Sequence, residues 1–206
     1  MPVTPGGLRI DAMQSVNHAL FQWIGAGHAP HAQLLWFATL VAEGSSWVCL
    51  ALLAWVAWRQ PAQRAYAMAT LAAAAVAALA AHALADALNM PRPFASGMSP
   101  SYIEHGARGS LPSTHASVMF TVALVMALRP ALRSFGWAVF AVALVTGWAR
   151  VYVGVHFPLD IAAGLALALV IAALFWALAF VVRRLIVPLV ARDDARTAHA
   201  ARSFSA

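Results

Sequence analysis

Lysine is absent from the 206 residues, so all 13 basic side chains are arginine. Cysteine occurs once, as Cys49 in an apolar run, which excludes an intrachain disulfide framework and a cysteine-ligated zinc site. No cluster of residues has metal-ligand spacing, and neither a metal nor a cofactor is expected. Charge is scarce, at 10% of residues, and the arginines stand singly between apolar runs. Without a basic stripe or arm, the pI near 11.0 does not argue for a nucleic-acid partner. Residues 1–30 lack the basic, apolar and small-residue succession of a cleaved leader, so no removable signal peptide is expected.

What is present is apolar: 63% of the chain, more than one soluble core of this size can bury. Lipid is therefore the expected solvent. Runs at 32–58, 64–88, 116–129, 134–151 and 159–182 read as spans. Before them, residues 11–25 place Met13, Val16, Leu20, Phe21 and Ile24 on one helical face, with Asp11, Gln14, Asn17 and His18 mostly elsewhere. The expected fold is an all-α polytopic membrane bundle of about five spanning helices plus an N-terminal amphipathic helix. A single domain over 1–190 would be followed by a polar, disordered tail at 191–206.

Two further features organise the chain. Residues 89–115 carry Pro91, Pro93, Pro100, Pro112 and three glycines, a composition that breaks helices and makes an ordered loop. Arg59 and Arg64, Arg129 and Arg133, and the arginines from Arg183 onward would share one side of the membrane. Arginine enrichment assigns that side to the cytoplasm. Arg92, Arg108, Arg150 and most loop histidines would face outward.

Three clusters fall at the outward ends: Pro91-Arg92-Pro93-Phe94, then Pro112-Ser113-Thr114-His115, then Arg150 with His156 and Asp160. Taken alone, each has an ordinary reading as an interfacial anchor, a helix start or a surface pair. Together, in order and on one side, they compose a site. Arg92 and Arg150 supply permanently charged forks for phosphate oxygens. Ser113 and Thr114 open a helix whose free amides favour an anion. His156 and Asp160, four apart, stack on a helix face so that the carboxylate fixes the imidazole tautomer and leaves a nucleophilic nitrogen. His115 is placed to protonate a departing oxygen.

These motifs resemble those of the type 2 phosphatidic acid phosphatase superfamily, whose pattern is Lys-x6-Arg-Pro, Pro-Ser-x-His and Ser-Arg-x5-His-x3-Asp. The resemblance implies phosphate binding by Arg92, Ser113 and Arg150, a general acid at His115, and a nucleophile at His156 oriented by Asp160. Two positions depart from it. Ala85 stands where the pattern has lysine, and Ala149 where it has serine. Arg108 is the candidate to supply the missing cation. Within the superfamily, the stretches Ser110–Ser117 and Arg150–Asp160, with the Tyr102–His105 segment, look most like the bacitracin-resistance type of undecaprenyl-diphosphate phosphatase. That implies hydrolysis of a membrane lipid diphosphate through a phosphohistidine, on the outer face of a bacterial inner membrane. Phosphatases of phosphatidylglycerol phosphate, phosphatidate or lipid A, a phosphotransferase, and a lipid-binding or transport relative are the alternatives. Outside the pattern, His82 with Asp86 reads as a structural polar pair, the alanine run 71–83 as a packing face, and Glu43, Glu104, His105 and Trp148 as neighbours of the site.

Overall fold

The structure, a computed structural model, describes residues 5–106 and 108–186. Six α-helices follow in order: α1 (Pro5–Ile24), α2 (Ala32–Arg59), α3 (Arg64–Leu88), α4 (Thr114–Leu128), α5 (Arg133–Tyr152) and α6 (Pro158–Val181). The expected tail at 191–206 lies outside the described residues.

The expected all-α membrane bundle is what forms, with no strand among the described residues. Four helical segments, Ala32–Arg59, Pro61–Leu88, Pro130–Tyr152 and Pro158–Arg184, are long and apolar enough to cross a bilayer. The fifth, α4, has 15 residues. At 1.5 Å per residue it is about 22 Å long, short of a hydrocarbon core of about 30 Å. Its position explains how so short a helix is stable. It is the central rod of the bundle, packed against α3, α5 and α6, with Met119, Phe120, Ala123, Val125 and Met126 almost wholly enclosed. One end of the bundle axis is thereby left to the 89–113 segment.

Small residues permit the close packing around α4. Ala67, Ala73, Ala74, Ala77, Ala81 and Ala85 form the buried face of α3, where alanines let helix backbones approach. The outward surface is apolar instead: Trp47 and Leu79 are each 73% exposed, as side chains dissolved in lipid should be.

Helix α1 differs from its expected single apolar face. Phe21 and Ile24 turn inward to the cluster with Val151 and Phe157, while Met13, Val16 and Leu20 remain exposed. Asn17, one turn before Phe21 and so on the same side of the helix, accepts the Leu159 N–H through Oδ1 at 3.0 Å. Leu159 is in the first turn of α6, whose amides have no intrahelical acceptor. Asn17 satisfies this orphan donor and fastens α1 to the start of α6.

Candidate active site

Each functional side chain is positioned by a helix end. Proline at the first position of α6 starts that helix. Asp160, in its first turn, accepts the Phe157 N–H at Oδ2, 2.8 Å away. The same Oδ2 accepts the Ser110 hydroxyl and faces His156 Nδ1 at 3.2 Å. One carboxylate oxygen thus closes the helix start, holds the 89–113 segment and orients the imidazole. At the other edge of the ring, Arg92 Nη1 donates to His156 Nε2 at 3.2 Å. A guanidinium has only donors, so Nε2 carries the lone pair and Nδ1 the proton it gives to Asp160. Burial is the largest influence lowering the pKa of His156 well below 6.5, followed by Arg150, Arg92 and His105. The ring is 2% exposed and neutral.

Arg92 is held by backbone acceptors. Its Nε donates to the Arg108 carbonyl at 2.9 Å, Nη1 to Val155 at 2.9 Å and Nη2 to Gly109 at 3.1 Å. Arg150, at the end of α5, donates from Nη1 to the Ala42 carbonyl at 3.1 Å. Its own carbonyl receives the amides of Val155 and His156. The α5–α6 connection therefore wraps around Arg150 and delivers His156 beside it. Gly154 makes the turn with φ +83°, and a Cβ there would lie 2.4 Å from the Pro100 carbonyl oxygen.

Two buried polar atoms are unpartnered among the described residues: Ser113 Oγ and Arg150 Nε. The contrast with other buried hydroxyls is informative. Thr70, Ser117, Thr121 and Thr146 each donate to the carbonyl four residues back. Ser113 sits at the N-cap of α4 without making the side-chain cap bond. Leaving such a group unsatisfied costs about 1–3 kcal/mol. Both open atoms belong to residues that the sequence pattern marks for anion binding.

The site opens into two cavities of about 350 and 370 Å3 that share His105, Gly106 and His115. The first also touches Arg92, Arg108, Thr114 and His156, with His82, Ala85 and Asp86 from α3. The second touches Ala42, Glu43, Glu104 and Arg150. All the sequence-predicted site residues thus converge on this one end of the bundle: His156, His115, Asp160, Arg92, Ser113, Thr114, Arg150 and Arg108. Such an arrangement can bind a tetrahedral anion, attack it with nitrogen and move a proton at His115.

The surroundings of the site contain more than the motifs indicated. Ser110, which opens the Ser110–Ser117 stretch but has no role in the motif pattern, is fully buried on Asp160. His105 lies edge-on to His156, ring centroids 5.9 Å apart, and burial, then Arg92, lowers its pKa to about 4. His82 and Asp86, read from sequence as a structural pair, both line the first cavity, and His82 Nδ1 lies 3.2 Å from Thr114 Oγ1. Trp148 instead packs on Phe37 and Tyr152. At the pattern's lysine position, a Cβ on Gly109 would fall 1.9 Å from the Ala85 carbonyl oxygen, so the loop lies directly against α3.

Residues 66–184 match the model of the PAP2 superfamily. A candidate undecaprenyl-diphosphatase of Escherichia coli (strain K12), YbjG, is 31% identical over 155 residues, 74% of this chain and 77% of that protein. The undecaprenyl-diphosphatase BcrC of Bacillus subtilis (strain 168) is 35% identical over 86 residues, 42% of this chain and 44% of its own. Among solved structures, Aquifex aeolicus LpxE superposes with a TM-score of 0.63 at 23% identity, covering 79% of this chain and 95% of that one. The PAP2-type phosphatidylglycerolphosphate phosphatase of Bacillus subtilis gives 0.64 at 22%, covering 84% and 89%. At these identities the two structures establish the shared fold.

Proposed function

The chain belongs to the PAP2 superfamily of membrane phosphatases, and on that premise we propose that it hydrolyses undecaprenyl diphosphate to undecaprenyl phosphate and inorganic phosphate. The observation that carries the chemistry is the pair of buried, open donors, Ser113 Oγ and Arg150 Nε, beside a neutral His156 whose Nε2 holds its lone pair. The choice of lipid rests on the two relatives named as undecaprenyl-diphosphatases.

In the first step His156 Nε2 attacks the terminal phosphorus, forming the N–P bond as the P–O bond to the bridging oxygen breaks. His115 gives its proton to that oxygen, and the lipid monophosphate leaves. The imidazolium character that develops is stabilised by Asp160 through Nδ1–H, and the equatorial oxygens by Arg92, Arg150 and Ser113. In the second step His115 takes a proton from water, whose oxygen attacks phosphorus and breaks the N–P bond. Inorganic phosphate and the starting imidazole result.

The site faces the outside of a bacterial inner membrane, opposite the arginine-rich ends at Arg59, Arg64, Arg129 and Arg133. The test is phosphate release by detergent-purified protein supplied with undecaprenyl diphosphate, phosphatidylglycerol phosphate or phosphatidate. Preference for the diphosphate is expected. Turnover of either glycerolipid alone would replace the substrate assignment, and transfer of phosphate to an added lipid alcohol without release would make the protein a phosphotransferase.

A further inference from the structure

The two cavities beside His156 differ in charge. The one toward α2 carries the acids Glu43 and Glu104, with Arg150 as its cation. The one toward α3 carries Arg92 and Arg108, with His82, Thr114 and the single acid Asp86. A diphosphate presents two anionic groups in tandem, and only the terminal one meets the nucleophile. The other must lie past the bridging oxygen, hence past His115, in one of these cavities. Two carboxylates disfavour the α2 side, and the α3 side offers cation and hydroxyl donors.

His82 is the unassigned member of that α3 wall. It stands one turn before Asp86 and three residues before Ala85, where the superfamily pattern has its lysine. Its Nδ1 meets Thr114 Oγ1 at 3.2 Å, which ties α3 to the first residue of α4 and hence to the turn that carries His115. When the threonine hydroxyl donates to Nδ1, the proton resides on Nε2, which becomes a hydrogen-bond donor. Nothing in the catalytic steps uses this group, and its exposure leaves it accessible to a ligand at the mouth of the cavity.

We infer that His82, steadied by Thr114 and joined by Arg108, holds the phosphate that leaves with the lipid and so selects diphosphates over monophosphates. This rests on the proposed lipid diphosphate reaction and adds the residue that discriminates its substrate. Negative charge develops on the leaving phosphate while the bridging bond stretches ahead of proton transfer from His115, so a donor there acts mainly in the transition state and its loss lowers kcat more than it raises KM.

The experiment compares farnesyl diphosphate with farnesyl monophosphate as substrates of the detergent-purified full chain, for wild type, His82→Ala, His82→Gln and Thr114→Val. For His82→Ala, the ratio of kcat/KM on the diphosphate to that on the monophosphate should fall about ten- to a hundredfold, the worth of one hydrogen bond to a charged group. His82→Gln, which keeps an N–H donor, should recover most of that ratio. Thr114→Val should lower it by a smaller factor, and supplies the same test should His82→Ala fold poorly. Equal losses on both substrates, or an unchanged ratio in all three variants, would overturn the inference and leave the proposed reaction standing. A wild type that hydrolyses only the monophosphate would overturn both.

Discussion

Arginines stand at both ends of the bundle and behave oppositely. At one end, Arg64 Nε donates to the Ala57 carbonyl at 2.9 Å and Arg129 Nε to Gln63 Oε1 at 3.0 Å, while the Arg129 guanidinium lies over the Tyr66 ring at 5.4 Å. These cations anchor helix ends at an interface, with local acceptors for the charge. At the other end Arg92 and Arg150 are only 6% and 2% exposed. There a charge has been taken out of water and, at Arg150 Nε, a donor left open. A buried charge of this kind costs several kcal/mol unless something compensates it. The first pair is satisfied by acceptors at its own helix ends, whereas the second is buried with a donor left open.

That contrast can be broken most completely by locating its two ends. In a Cys49→Ala background, a cysteine replacing Ser101 should react with an impermeant thiol reagent added to intact spheroplasts, and one replacing Gln63 should not. The reverse labelling would place the site in the cytoplasm. Next in size is the nucleophile. His156→Ala should reduce phosphate release by roughly ten-thousandfold or more and abolish an acid-labile phosphoenzyme. Phosphoenzyme that persisted would move the nucleophile elsewhere.

Matched substitutions at the two ends sharpen the comparison further. Arg150→Lys should lower kcat by about a hundredfold, since an ammonium cannot reproduce the fork. Arg129→Lys should leave kcat within about twofold, because its contacts are those of a surface anchor. Similar effects from both would erase the distinction. A smaller change belongs to Ser110→Ala, which removes one donor from Asp160 and should cost about tenfold in kcat. An unaltered rate would make Ser110 a loop fastener alone.

The slightest effect expected is on stability against pH. His105 is held neutral with its pKa lowered from 6.5 to about 4, mainly by burial and then by Arg92. The unfolded chain therefore binds a proton between those values that the folded chain refuses. This contribution is fully present above pH 6.5 and is lost as pH falls toward 4. Melting temperature in detergent should decline across that window in wild type and less steeply in His105→Gln. Parallel curves would show that His105 does not carry the dependence.

The sequence made most of the bundle legible, because a run of apolar residues long enough to span has few alternatives. Helix starts at Thr114 and Pro158 fall within two residues of the expected bounds, since Ser113 and Pro158 act through local geometry. The motif residues were equally visible, and the structure brings them together. What stayed hidden depends on contacts across the chain. Ser110 reaches Asp160 fifty residues away, and nothing in its own neighbourhood specifies that partner. His82 approaches Thr114 across 32 residues because an alanine face lets α3 pack closely. The docking of α1 turns on Asn17 finding the first turn of α6, a polar bond to a residue 142 positions away.

Arg92 has one consequence beyond binding. Its contacts with three carbonyls and with His156 Nε2 engage all but one of its N–H donors. In the proposed reaction the Nε2 lone pair that attacks phosphorus is the one this guanidinium faces. A phosphoryl group competing for the same Nη1 donor would uncover the nitrogen as it binds, so that anion recognition and release of the nucleophile would be one event, in the manner of a safety catch.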